Sequence, residues 1–134
     1  MQQELSPEKI GNIVKIMQTF VNLNDKIEVV LLCNDEGLPI ASSVDDMSMS
    51  TILAGITAAI RNVVEHYVKY LALTGFERLI VDYKDGGLLI TELNKNIYVL
   101  VFFKKPVPLG IILRDTYNMI IKIRQEISKQ LMRD

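Results

Sequence analysis

Ile97-Tyr98-Val99-Leu100-Val101-Phe102-Phe103 is apolar at every position. Successive side chains of a strand point to opposite faces, so a strand with one wet face alternates apolar and polar residues; one without alternation is covered on both sides. Val29-Val30-Leu31-Leu32 has the same character. Helices must then lie on both faces of one sheet, giving three layers and an α/β fold of the α+β type. Upstream of Ile97, Asn94-Lys95-Asn96 leads back to an apolar run over Leu88 to Leu93. Lys84-Asp85-Gly86-Gly87 leads back to another, Phe76 to Tyr83. Both links read as short hairpin turns, which make neighbouring strands antiparallel. Further out, Ile27 to Cys33 and Leu38 to Ser43 are joined by Asn34-Asp35-Glu36-Gly37. Gly37 supplies the positive φ a tight reversal needs, and Pro39 lacks a donor, which puts its strand at a sheet edge.

Three helical segments surround these strands. Ser6-Pro7-Glu8 is a start signal, and Ile10, Ile13, Val14, Met17 and Phe20 or Val21 then share one face until Asn22-Leu23-Asn24-Asp25. A second pattern runs from about Met49 to Leu73, capped by Asp46 or Ser48 and stopped by Thr74-Gly75. The third, roughly Leu109 to Leu131 after Pro106 and Pro108, places Leu109, Leu113, Ile120, Ile123, Ile127 and Leu131 inward, with Arg114, Lys122 and Arg124 outside. The expected order is α-β-β-α-β-β-β-α in one domain over 1–134, with 6–21 as an extra N-terminal helix.

The second helix carries a surplus. At 100° per residue, Ile52, Leu53, Ile56, Ala59, Ile60, Val63, Val64, Tyr67, Val68 and Leu71 spread over about half its circumference, wider than one sheet contact uses. Ala54, Gly55, Ala58 and Ala59 are small enough for a second helix to approach closely. Unless the N-terminal helix covers this surface, it drives association. The strand from Phe76, with Leu79-Ile80-Val81, has few deterrents to edge pairing, so helix and strand together point to one twofold interface.

Catalytic inventories come up short. A 134-residue chain with 49% hydrophobic and 23% charged residues suits one soluble core. Its net charge of −1 and its densest basic cluster, Lys104-Lys105, argue against nucleic acid or an anionic membrane as partner. Cys33 is the only cysteine and no basic-then-apolar leader follows Met1, so the expected compartment is the cytoplasm. No apolar run approaches the roughly 20 residues of a bilayer span, so direct membrane insertion is not expected. Zinc needs about four ligands, against Cys33 and His66 here, so no metal and no cofactor are expected. Cys33 reads as a packed thiol and His66 as a solvated side chain. Gly86-Gly87 reads as a turn and not a phosphate loop, and Asp45-Asp46 as capping and loop residues. Asp82 and Glu92, facing each other across a hairpin, read as sheet-surface polarity. Arg61 reads as a solvent-facing helix residue, preferred over an arginine finger. The expectation is a protein without catalytic residues.

Taken together, a strand, then Asn34-Asp35-Glu36-Gly37-Leu38-Pro39-Ile40-Ala41-Ser42, then a polar gap and a long helix with small residues resembles the roadblock (dynein light chain) family. Leu73-Thr74-Gly75 before a strand, Gly86-Gly87, the hairpin into Ile97-Tyr98-Val99-Leu100-Val101, and Leu109-Gly110 opening the last helix extend the resemblance over residues 25 to 128. It implies a profilin- and longin-like sheet of order 2-1-5-4-3 and dimers built from the long helix and third strand. It also implies binding or regulation of small Ras-like GTPases, or a scaffold role; in the bacterial motility branch a homodimer stimulates GTP hydrolysis without donating an arginine. An N-terminal helix is outside the minimal family fold and is similar to that bacterial branch. The expected dimer contacts, with a second copy or a paralogue, are Ile52, Ile56, Ala59, Ile60, Val63, Tyr67, Leu79 and Val81. Arg61, Asn62 and Glu65 are the expected GTPase-facing residues. The alternative is a PAS- or GAF-like small-molecule sensor, which requires a closed apolar pocket under the long helix.

Overall fold

The computed structural model describes residues 5–129 and centres on the strand that opened the sequence reading. In chain order the elements are α1 (Pro7–Leu23), β1 (Ile27–Asn34), β2 (Pro39–Ser42), α2 (Met47–Val68), β3 (Arg78–Asp82), β4 (Gly86–Asn94), β5 (Ile97–Lys104) and α3 (Leu109–Lys129). The five strands form one antiparallel sheet in the order β2-β1-β5-β4-β3. Leu100 of β5 stands between Leu31 of β1 and Ile90 of β4. Ile97, Val99, Val101 and Phe103 face one core with α1 and α3, while Tyr98 and Leu100 face another with α2. All six are buried, which is why the strand cannot alternate.

α1 starts where Ser6 Oγ accepts a hydrogen bond from Lys9 N at 3.1 Å. Ile13, Met17 and Phe20 are buried as the periodicity requires. Lys9, which the pattern did not mark as inward, is buried as well and donates its Nζ to the Ile127 carbonyl. That places a cation at the carbonyl-rich end of α3, where the helix dipole favours it. Asn12 Nδ2 adds a bond to Glu126 Oε2 at 2.8 Å, so α1 and α3 are tied together on the same face of the sheet.

Several expectations need correction. α3 buries Ile112, Thr116, Met119, Ile120, Ile123 and Ile127. Leu109 is 41% exposed, Leu113 is half-buried, and Leu131 lies outside the described residues. Ile120, Ile123 and Ile127 turn inward as the spacing requires, whereas in the first turns Ile112 and Thr116 are the buried residues in place of Leu109. α2 gives way to a turn of 3-10 helix (Lys69–Leu71) and stops at Ala72, whose φ of 60° is left-handed, ahead of Thr74-Gly75. Gly86 and Gly87 are strand residues of β4, paired with Lys104 and Phe103, and not turn residues. Asp82 consequently stands across from Gly87, and Glu92 across from Tyr98, so the two carboxylates do not face each other. Asp82 pairs instead with Lys105 Nζ at 2.6 Å. Finally, Met47–Leu71 has a mean hydropathy of 1.3 and is long and apolar enough, by length and composition alone, to cross a membrane. This does not overturn the expectation of no membrane insertion, because Ser50, Thr57 and Arg61 break the apolar run and a helix of an ordinary folded domain passes the same test.

Candidate functional site

α2 is seated on the sheet by its smaller side chains. Asp46 caps it, Oδ1 accepting from Met49 N at 3.1 Å. The buried residues are Ser50, Leu53, Ala54, Thr57 and Ala58, and Thr57 Oγ1 donates back to the Leu53 carbonyl at 2.8 Å. Ala54 and Ala58 are buried inside the protomer, and a Cβ added to Gly37 would lie 3.4 Å from Ala58 Cβ and 3.6 Å from the Ala54 carbonyl oxygen. The turn after β1 therefore rests on the helix. Of the four small residues read as room for a second helix, only Gly55 and Ala59 face outward.

The large side chains point away from the core. Ile52 is 61% exposed, Val63 58% and Tyr67 65%, and Ala59 is exposed, with Ile56 and Ile60 half-buried between them. Leu71, the last residue of the expected arc, is exposed too, and Tyr70 and Leu73 add to it beyond that arc. α1 lies across the sheet with α3, so it does not cover this surface. Only 28% of the most apolar stretch of α2 is buried, which makes the excess apolar area a fact of the fold.

On the same side, β3 forms the sheet edge and, among the described residues, pairs only with β4. Leu79 and Val81 are half-buried, and Leu79 packs into the α2-side core. α2 lies over β1, β2 and β5, which leaves the β4–β3 part of this face partly open. A hollow of about 380 Å³ lies there, lined by Leu53, Ile56, Leu88 and Phe102 with Tyr83 and Lys104 at its rim. The space directly beneath α2 is filled by Leu31, Cys33, Leu53, Ala54 and Leu100. The PAS- or GAF-like alternative requires a closed apolar pocket under this helix, whereas the hollow at its margin is open to solvent.

The three residues expected to face a partner divide. Asn62 is exposed and Glu65 half-buried, but Arg61 is not the solvent-facing residue that its helical position suggested. Its guanidinium carbon lies 4.8 Å from the centre of the Tyr98 ring, and its Nη1 donates to Asn62 Oδ1 at 3.1 Å. A long flexible stem lets the cation lie on an aromatic face. Arg61 Nε and Tyr98 Oη are both buried without a hydrogen-bond partner. Burial pushes the Tyr98 hydroxyl above its ordinary pKa; Arg61 opposes that, while Glu92, Asp35 and Glu65 add to it. Sequence reading takes Tyr98 as a strand residue, Asp35 as a turn residue and Glu92 as sheet-surface polarity, and does not connect them with Arg61, although a lone tyrosine in an aliphatic strand is a visible sign.

Cys33 is fully buried and His66 is exposed, as read. No group of three or more potential metal ligands occurs among the described residues. Burial raises the Cys33 thiol to about 11, and a hydrogen bond with the Thr57 side chain works against that rise. The raised value means that the unfolded chain ionises first as pH increases from 9 to 11. Stability present below pH 9 is therefore lost across that window, by about 2–3 kcal/mol. Urea denaturation along this range should show that loss in the native chain and a shallower one in Cys33→Ala. Equal slopes would contradict the assignment.

Residues 15–103 match the Roadblock/LC7 domain family. Among solved structures, Myxococcus xanthus MglB is similar with a TM-score of 0.78 and 18% identity, over 97% of this chain and 95% of that one. A structure described as MglB with tetrameric arrangement gives 0.79 at 15% identity, over 93% of this chain and 94% of its own. A Roadblock/LC7 domain from Streptomyces avermitilis gives 0.75 at 10% identity, over 82% and 92%. Comparison with curated proteins returns no match. At such identities the likeness is one of fold, and with the MglB structures it extends over nearly the whole chain, α1 and α3 included.

Proposed function

Because this chain belongs to the Roadblock/LC7 domain family, we propose that it is a homodimeric, non-catalytic adaptor or regulator that binds a small Ras-like GTPase and acts on its hydrolysis or its placement. The observation that carries this reading is the outward apolar face of α2 beside the open β3 edge. A stable interface buries roughly 800 Å² per partner, and a helix of more than five turns next to a free strand is a surface of that scale. Ile52, Ile56, Ala59, Ile60, Val63 and Tyr67 would meet a twofold-related copy, or a paralogue in the same place. Leu79 and Val81 would lie where the two sheets join edge to edge. Self-association in a similar fold is named for the MglB of tetrameric arrangement, which supports the same for this chain.

The GTPase would engage the side of α2 bearing Arg61, Asn62 and Glu65, at the margin of the dimer seam. With no nucleophile or metal-binding cluster there, any effect on hydrolysis would come from ordering the GTPase's own groups. Sedimentation of the purified chain, alone and with candidate GTPases loaded with GTP or GDP, tests both halves. A dimer that co-sediments with the GTP form is the expected result. A monomer at all concentrations, or no GTPase bound in either state, overturns it.

A further inference from the structure

The hollow beside α2 belongs to the first half of that helix. Leu53 and Ile56 form one wall, and Leu88 of β4 with Phe102 of β5 forms the floor. Asp85 and Lys104, both exposed, stand at the mouth with Tyr83. At about 380 Å³ it is open and lined by large apolar side chains, yet the protomer's own helix does not fill it. Tyr67, in the second half of α2, is 65% exposed, and His66 is its one aromatic neighbour among the described residues. It follows Ile56 by eleven residues, about 16 Å along a helix, so it cannot reach the hollow of its own chain.

A twofold axis brings these two ends together. If two copies join at the β3 edge with both α2 helices on one face of the continued sheet, the axis stands perpendicular to that sheet. The helices then run in opposite directions. The outward stripe suits this arrangement. Ile52, Ile56, Ala59, Ile60, Val63 and Tyr67 are spaced by four, three, one, three and four residues, the same in either direction, with the small Ala59 beside the midpoint. About that midpoint Ile56 meets Val63 of the second copy. Ile52 meets Tyr67 of the second copy, next to the wall that Leu53 and Ile56 give the hollow.

We propose that Tyr67 of a second copy fills this hollow, and the reverse, so that each pocket is complete only in the dimer. The inference rests on the homodimer reading above and names the side chain that fixes its register. A tyrosine matches the lining at both ends. Its ring lies against Leu53, Ile56, Leu88 and Phe102, and its hydroxyl stays at the mouth, where the Asp85 carboxylate accepts a hydrogen bond and the Lys104 ammonium donates one. A buried tyrosine covers about 150–250 Å², a large share of the roughly 800 Å² that a stable interface takes from each partner. Tyrosines seated in such pockets are frequent hot spots.

The chain has no tryptophan, so Tyr67→Trp supplies a single fluorescent reporter at the anchor. Its emission should shift to the blue as rising concentration turns monomer into dimer, because the position is exposed in the lone protomer. A second chain, Cys33→Ala with Lys104→Cys, carries a nitroxide at the mouth of the hollow. Mixed with the tryptophan variant it should quench the emission, and a nitroxide on Ser128→Cys, exposed on α3 across the sheet, should not. Tyr67→Ala should weaken dimerisation about thirtyfold in sedimentation. Leu23→Ala, on α1 in the opposite layer and 81% exposed, should leave it unchanged. A chain that stays monomeric at all concentrations overturns the homodimer and this contact with it. A dimer with unshifted emission, or one that the Lys104 nitroxide does not quench, leaves the proposed function standing and refutes the filled hollow.

Discussion

Ile52→Glu combined with Val63→Glu is expected to yield a folded monomer. Both side chains are mostly exposed in the protomer, at 61% and 58%, so a carboxylate at either place stays in water while the chain is alone. In a twofold dimer the two substitutions put four negative charges into an apolar seam. Burying an unpaired charge costs several kcal/mol, and each 1.4 kcal/mol is a factor of ten in affinity, so dissociation should strengthen by at least about a thousandfold. Ile56 is a poorer choice, because it also lines the hollow with Leu53 and Leu88 and contributes to the protomer's own packing. Sedimentation should report half the native mass with an unchanged circular dichroism spectrum. A dimer of native stability would remove α2 from the interface and leave β3 alone to account for association.

Gly86→Ala and Gly87→Ala should each destabilise the fold severely, by about 3 kcal/mol or more. A Cβ on Gly86 would stand 2.5 Å from the Phe103 carbonyl oxygen, and one on Gly87 would stand 2.6 Å from Phe103 Cζ and 2.9 Å from the Val81 carbonyl oxygen. Two of these obstacles are backbone atoms of paired strands, which cannot move without opening the sheet. Phe103 is itself 1% exposed and locked in the core against α1 and α3. Gly11→Ala makes the contrast: an added methyl there meets nothing within 4 Å, and its position in α1 should gain up to about 1 kcal/mol from helix propensity. Urea midpoints of the three variants would settle the matter. A mild effect at Gly86 and Gly87 would mean that β4 can slip past β5.

Those two glycines show where sequence reading reaches its limit. Gly86-Gly87 after Lys84-Asp85 has the pattern of a hairpin turn, whereas neither glycine has a positive φ and both are paired strand residues. Their small size answers a neighbour sixteen or more residues away, which no local pattern contains. Arg61 belongs to the same class, since its helical position is polar but Tyr98 offers it an aromatic face to lie on. Ala54 and Ala58 likewise are buried within the protomer, where the turn at Gly37 comes against them, and do not face outward toward another helix. In α3 the spacing places Ile120, Ile123 and Ile127 inward as observed, while the first turns bury Ile112 and Thr116 in place of Leu109, because what the start of a helix meets is set by distant elements.

By contrast, the unbroken apolar character of Ile97 to Phe103 was enough to require a sheet covered on both faces, and the short links around it required antiparallel neighbours. The excess of apolar residues on the central helix was likewise legible before any fold was known. Hydrophobic spacing records which side chains share a face, because backbone geometry alone sets that. What each face meets is decided by elements distant in the chain. Only the tertiary structure could show that α1 sits on the far side and leaves α2 bare, that Arg61 lies on the Tyr98 ring beside Glu92, and that two glycines stand against a phenylalanine.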